Sequence, residues 1–165
     1  MTRGWPAFLR NPIFVAAVAA IVVAGLGASA TDIGPWYYAL RKPSWQPPDW
    51  LFGPVWTLIY ALTALAGIMA WRAAPAGRAR GRILVLFAAN ALLNVLWSEL
   101  FFHFRRPDLA LTETVVFWAS IVVLMATVWP HSRPAAWVLA PYLAWVTFAS
   151  VLNLAVVRLN APFGA

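Results

Sequence analysis

The chain has no cysteine, which excludes disulfides, thiolate metal sites and thiol nucleophiles. Charge is also scarce. Only 10% of its 165 residues are Asp, Glu, Lys or Arg, against about a quarter in soluble domains. So few charges cannot cover a water-facing surface. Acidic residues are fewer than basic ones, and Asp32, Asp49, Glu99, Asp108 and Glu113 are all of them. No GxGxxG, P-loop or GxSxG pattern occurs, so the sequence carries no conventional catalytic constellation. The two histidines, His103 and His131, are boundary residues, and no metal site is expected.

What is abundant is apolar surface, with 63% hydrophobic residues and eleven tryptophans. Five apolar stretches stand out, at 12–30, 51–71, 83–104, 109–129 and 136–157. Each is about 20 residues, which at 1.5 Å per residue crosses roughly 30 Å of hydrocarbon. The predicted fold is therefore all-α and membrane-integral: one domain, 1–165, built as a single bundle of five transmembrane helices. The first stretch follows Arg3 and Arg10 and ends Ala28-Ser29-Ala30, in the manner of a signal peptide. It is longer than a usual signal core and reads as a span. Pro75, Gly77, Gly81, Pro107, Pro130 and Pro134 punctuate the short connections. Only the connection 31–50 is long.

The formal net charge of +7 fits basic residues that flank spans and meet lipid headgroups, and no nucleic-acid partner is expected. Five spans put the termini on opposite sides. The N-terminal side holds Arg3, Arg10, Arg72, Arg78, Arg80, Arg82 and Arg133, seven in all, against Arg41, Lys42, Arg105, Arg106 and Arg158, five, on the other. The positive-inside rule favours a cytoplasmic N-terminus by that narrow margin. All five acidic residues lie at or toward the opposite side, where Glu99 and Glu113 are close enough to a helix end to reach water. Trp5, Trp71, Trp129 and Trp137 fall at predicted water–lipid boundaries, where amphipathic rings are stable.

The long loop places Trp36, Trp45 and Trp50 among Lys42, Pro43, Pro47 and Pro48. Proline lowers the entropy cost of ordering a loop, and so aromatic a segment is poorly solvated in water. It is predicted to pack down as a lid, although an aromatic belt resting in headgroups has the same composition. Beneath it, alternating topology brings three stripes together. The second span carries Trp56 and Tyr60, the third Asn90, Asn94, Trp97 and Ser98, and the fifth Trp145, Ala149 and Asn153, each at helical same-face spacing. A cavity with large rings and a few amides suits a flat, largely apolar ligand. The same Asn and Ser residues also serve as ordinary helix–helix contacts. Ala16, Ala20, Ala24 and Ala28 repeat every four residues on the first span, which allows a close approach within the bundle or between protomers. Trp118 has no assigned role.

These residues resemble the translocator protein family, also called tryptophan-rich sensory proteins or peripheral benzodiazepine receptors, in its bacterial type. The likeness is carried by Trp36-Tyr37-x-x-Leu40-x-Lys42-Pro43-x-Trp45-x-Pro47-Pro48-x-Trp50 and by Pro54-Val55-Trp56-x-x-x-Tyr60. It continues in Asn90-x-x-x-Asn94-x-x-Trp97-Ser98, in Trp145-x-x-Phe148-Ala149-x-x-Leu152-Asn153 and in Arg158-Leu159-Asn160. The resemblance implies five helices, a homodimer in a bacterial membrane, and a pocket beneath the first loop. By matching positions it places Tyr37, Trp56, Tyr60, Asn90, Trp145 and Ala149 in that pocket. It further implies a receptor or sensor for porphyrins such as protoporphyrin IX, with porphyrin as ligand and no tightly bound cofactor. Light- and oxygen-dependent porphyrin degradation, attributed to the tryptophan matching Trp56, is the alternative the family offers. Transport of porphyrins or lipids is another, although five spans do not divide into equal halves and no internal repeat is visible. Animal members carry a tyrosine in a cholesterol motif at the end of the fifth helix. The stretch 152–158 here has none, which weakens the sterol reading.

Overall fold

The computed structural model describes residues 11–163. Trp5, Arg3 and Arg10 lie outside the described residues. The element order is α1 (Pro12–Ala30), α2 (Pro35–Ala39), a 3₁₀ turn (Asp49–Leu51), α3 (Phe52–Ala73), α4 (Arg78–Ser98), a π turn (Glu99–His103), α5 (Pro107–Val128), α6 (Arg133–Val138) and α7 (Ala140–Asn160). No strand occurs among the described residues. Five helical segments are long and apolar enough to cross a membrane: Pro12–Ala30, Asp49–Ala73, Arg78–His103, Pro107–Val128 and Arg133–Asn160.

The helix ends follow local chemistry. Asn11 caps α1 by accepting from the Ile13 amide at 3.0 Å, with Pro12 in the first turn, where a missing N–H costs nothing. The third span begins earlier than its apolar stretch, at Arg78, because Gly77 takes φ 93° and turns the chain into the helix. Glycine adopts that backbone without a Cβ penalty. The fifth span is longer than 136–157 and is broken. Pro141 has no N–H to donate, and α6 stops at Val138 before α7 starts at Ala140. The third span closes in a π turn. Arg105 follows at φ 54°, and the Arg106 amide reaches back to the Leu100 carbonyl at 2.9 Å.

The spans close into a ring. α1 packs on α3, α3 on α6 and α7, α7 on α5, α5 on α4, and α4 on α1. A close seam lies at the end of α3, where Ala66, Ala70 and the capping Ala74 repeat every four residues and are buried. Small side chains let helices approach closely. They share a core with Ala135 and Ala136 of α6 and the capping Leu139, and Phe117, Ile121, Leu124 and Val128 of α5 complete it. This core fills the half of the bundle on the N-terminal side. The opposite half is held by a smaller cluster of Tyr37, Phe101, Ala110 and Val156. Outward faces carry Ile21, Leu92 and Val115, all at least 70% exposed, as lipid-facing surfaces do.

Candidate functional site

The lid is a folded element. Trp36 meets Phe101 edge-on at 6.1 Å, and Tyr37 packs on Phe102 at 5.8 Å. Both phenylalanines belong to the π turn. The wider turn lets the consecutive Phe101 and Phe102 both meet lid residues, and Trp97 stacks on Phe101 at 5.0 Å. π turns are frequent at functional sites. Arg105, held in its left-handed conformation, sets its guanidinium 5.9 Å from the Trp36 ring.

Polar bonds fasten the lid at two points. Tyr37 donates its hydroxyl to Asp49 Oδ1 at 2.8 Å, and Gln46 Nε2 donates to the same oxygen at 3.0 Å. Lys42 Nζ lies 3.5 Å above the Tyr37 ring and 3.9 Å from Asp49 Oδ2. Burial, and then the Asp49 carboxylate, hold the Tyr37 hydroxyl well above the ordinary tyrosine range. At the second point Asn160, near the end of α7, brackets the lid backbone. It accepts from the Arg41 amide and donates to the Arg41 carbonyl, both at 2.8 Å. Pro43 starts the turn that the Gln46 amide closes at 3.0 Å. Pro47 and Pro48 lead into the 3₁₀ turn, whose Leu51 amide bonds to the Pro48 carbonyl at 2.9 Å. Trp45 packs edge-on against Phe148 at 6.0 Å. Trp50 is 72% exposed and does not line the space beneath the lid.

Under the lid is a chamber of about 510 Å³. Of the residues singled out in the sequence, Tyr37, Trp56, Tyr60, Trp97, Trp145 and Ala149 line it. Asn90 and Asn94 do not. They are buried one to two turns deeper, and their amides are taken up between helices. Asn90 donates to Ser120 Oγ at 2.8 Å and accepts from the Tyr142 hydroxyl at 3.0 Å. Asn94 accepts from the Tyr60 hydroxyl at 2.9 Å. Asn153 borders the chamber, but its amide reaches the Pro107 carbonyl and the Leu111 amide of α5, each at 3.1 Å. Periodicity alone could not separate a chamber face from a packing face one helical position away.

The walls are aromatic. Trp56 stacks on Tyr60 at 5.5 Å, Phe52 meets Trp145 edge-on at 5.7 Å, and Trp145 leans on Phe148 at 5.4 Å. The Trp145 indole N–H is buried and has no acceptor among the described residues. A buried donor without a partner costs about 1–3 kcal/mol, and this one lies in the chamber wall. Gly27 of α1 sits against the Tyr60 hydroxyl, and a Cβ there would stand 3.4 Å from it. Phe52, Gln46 and Asp49 also line the chamber. Nothing in their spacing marked them: Gln46 and Asp49 come in with the lid, and Phe52 with the first turn of α3.

Other expectations resolve structurally. Ala16 and Ala20 border a hollow between α1, α3 and α4, and Ala24 and Ala28 border the chamber, so the alanine stripe lies on the inner side of α1. Trp118 donates to Thr147 Oγ1 at 2.9 Å and ties α5 to α7. Trp129 and Trp137 pack edge-on at 6.1 Å beside Arg133. Glu113 differs from expectation. Both carboxyl oxygens are buried and have no hydrogen-bond partner among the described residues, rather than reaching water. The reason is position, since Glu113 lies nearly two turns inside α5. Among the described residues no three His, Asp or Glu side chains converge as a metal site requires.

A ring of five apolar spans around a roofed aromatic chamber defines a multi-pass integral membrane protein with an internal cavity of small-molecule size. The chain belongs to the TspO/MBR family, whose profile matches residues 14–159. It is 43% identical to the tryptophan-rich protein TspO of Chlorobaculum tepidum over 131 residues, covering 76% of this chain and 80% of that one. It is 34% identical to the tryptophan-rich sensory protein of Cereibacter sphaeroides over 163 residues, covering 97% and 95%. The translocator protein of Sus scrofa is 36% identical over 127 residues, covering 76% and 75%.

Proposed function

We propose that this protein is a membrane receptor or sensor that binds porphyrins and related flat hydrophobic molecules in the chamber beneath the first loop. The observation that carries this reading is the chamber wall: rings from Trp56, Tyr60, Trp97 and Trp145, with the Trp145 indole N–H buried and without an acceptor among the described residues. A volume of about 510 Å³ falls within the roughly 300–1,000 Å³ of small-molecule sites. Flat rings stack on aromatic faces, and the buried Trp145 N–H suits a carbonyl or carboxylate oxygen. Lys42, at the chamber's roof, supplies the nearest cation for an anionic substituent. The narrow excess of basic residues supports a cytoplasmic N-terminal side, with the lid on the other face.

Titration with protoporphyrin IX, followed by the porphyrin absorbance shift and by tryptophan quenching, tests the reading. Saturable binding is expected, weakened at least tenfold in Trp56→Ala and in Trp145→Ala. Parental affinity in both variants rejects the chamber as the site.

A second reading rests on the stacked pair Trp56–Tyr60, two oxidisable rings in the chamber wall. It makes the bound porphyrin a substrate for degradation in light and oxygen. A defined coloured product is then expected under illumination and not in the dark. An unchanged yield in Trp56→Phe removes Trp56 from that chemistry.

A further inference from the structure

A second hollow, about 830 Å³, lies between α1, α3 and α4. It begins at Trp71 and Arg80, where α3 ends and α4 starts, and runs to Tyr60 and Asn94. Trp71 to Tyr60 is eleven residues, or about 16 Å of helix. Half of a hydrocarbon core of about 30 Å is about 15 Å. The groove is therefore as deep as one leaflet. Short side chains, Ala20, Ala64, Gly67 and Ala91, leave the space, and larger ones such as Val23, Leu84 and Phe87 border it. The rest of the outer surface carries long exposed ones such as Ile21 and Leu92. A chain lying in the groove touches protein on three sides, where a lipid against the convex surface touches one.

The head of the groove is cationic and prearranged. Arg80 is partly buried, unlike the exposed Arg78 and Arg82. Its Nε donates to the Ala74 carbonyl at 3.0 Å, and its guanidinium lies 5.3 Å from the Trp71 ring. Its two terminal amino groups have no protein partner among the described residues. The sequence supplies no counter-ion either. All five acidic residues belong to the opposite half of the bilayer, and neither the segment 1–31 nor the segment 72–82 contains one. An anion for Arg80 has to come from outside the chain.

We infer that the groove between α1, α3 and α4 binds an anionic phospholipid, with one acyl chain along Ala20, Ala64, Gly67 and Ala91 and the phosphate on the terminal amino groups of Arg80. Trp71 marks the headgroup boundary, as interfacial tryptophans do. Guanidinium pairs with phosphate in a two-pronged geometry, and the Nε bond to Ala74 fixes the side chain before the lipid arrives. This lipid is distinct from any occupant of the chamber, because the Tyr60–Asn94 bond stands between the two spaces.

The test uses the full chain in mixed bilayers with spin-labelled phosphatidylglycerol or phosphatidylcholine, reading the motionally restricted fraction. Phosphatidylglycerol is expected to be favoured about fivefold, the ratio for one interfacial basic contact. Arg80→Gln is expected to bring the ratio near one, and Arg78→Gln to leave it. Ala64→Phe, which fills the groove, should lower the number of restricted lipids. Ala91→Leu does the same should the larger ring prevent folding. A preference that survives in Arg80→Gln overturns the proposal. So does an equal loss in Arg78→Gln, or an unchanged lipid count in both groove-filling variants. A monomer–dimer shift in Ala64→Phe with unchanged lipid binding also overturns it, and assigns the groove to a second copy of the chain.

Discussion

Tyr60 donates its hydroxyl to Asn94 Oδ1 at 2.9 Å, across 34 residues of sequence, and this one bond stands between the lidded chamber and the lateral groove. Both cavities are lined by Tyr60, and α1 closes the partition with Gly27. Tyr60→Phe keeps the ring and the stack on Trp56 but leaves the Asn94 carbonyl oxygen without its donor. It should cost about 1–3 kcal/mol of stability. A thermal midpoint by tryptophan fluorescence that matches the parent contradicts this.

Asn90 and Trp145 should behave in opposite ways. Asn90→Ala strands Ser120 and the Tyr142 hydroxyl, for a loss of about 1–3 kcal/mol. Ligand affinity in the folded fraction should stay near parental, because Asn90 does not line the chamber. Trp145→Phe removes an unpaired donor and keeps most of the apolar ring, so stability should stay within about 1 kcal/mol. Affinity for a porphyrin that accepts that N–H should fall about tenfold, or 1.4 kcal/mol. Parallel melting and titration of the two variants separate these outcomes.

The lid should respond to pH at the alkaline end. Folding raises the affinity of Tyr37 for its proton through burial and the Asp49 carboxylate. A raised value means that the folded state keeps the proton where the unfolded chain has lost it. The resulting stabilisation is complete below the ordinary tyrosine value of 10.0 and is lost as pH climbs above it. Lid ordering, read by protease resistance or amide exchange over 35–50, should be flat from neutral pH to that value and then decline. Tyr37→Phe should weaken the lid at neutral pH and abolish the alkaline decline.

Glu113 buries two carboxyl oxygens that have no partner among the described residues. Replacing an unsatisfied buried polar group by an apolar one of similar size relieves a cost of about 1–3 kcal/mol. Glu113→Leu should therefore melt higher than the parent. A lower midpoint means that Glu113 has a partner in the folded protein that the described residues do not supply.

The sequence by itself determined the membrane class, the five spans and the aromatic character of the lid. These depend on quantities that can be read along one dimension. A span needs enough consecutive apolar residues to match the bilayer, and Pro, Gly and Arg end it wherever they fall. The basic stretch 75–82 marked a connection correctly, but Gly77 let the helix start inside it at Arg78. Same-face spacing also grouped Trp56 with Tyr60 and Trp145 with Ala149, and both pairs line one chamber. Tertiary structure alone decided which way each face turns and what it meets. The Ala66–Ala70–Ala74 seam sets how closely α3 approaches α6, and the closed ring then rotates Asn90 and Asn94 away from the chamber and toward Ser120, Tyr142 and Tyr60. The π turn that offers Phe101 and Phe102 together to the lid leaves no mark in a 3.6-residue pattern. Nor does the Asn160 bracket on Arg41, which joins residues 119 apart. Periodicity assigns a residue to a face. Only packing against a particular neighbour gives that face a ligand, a lipid or another helix.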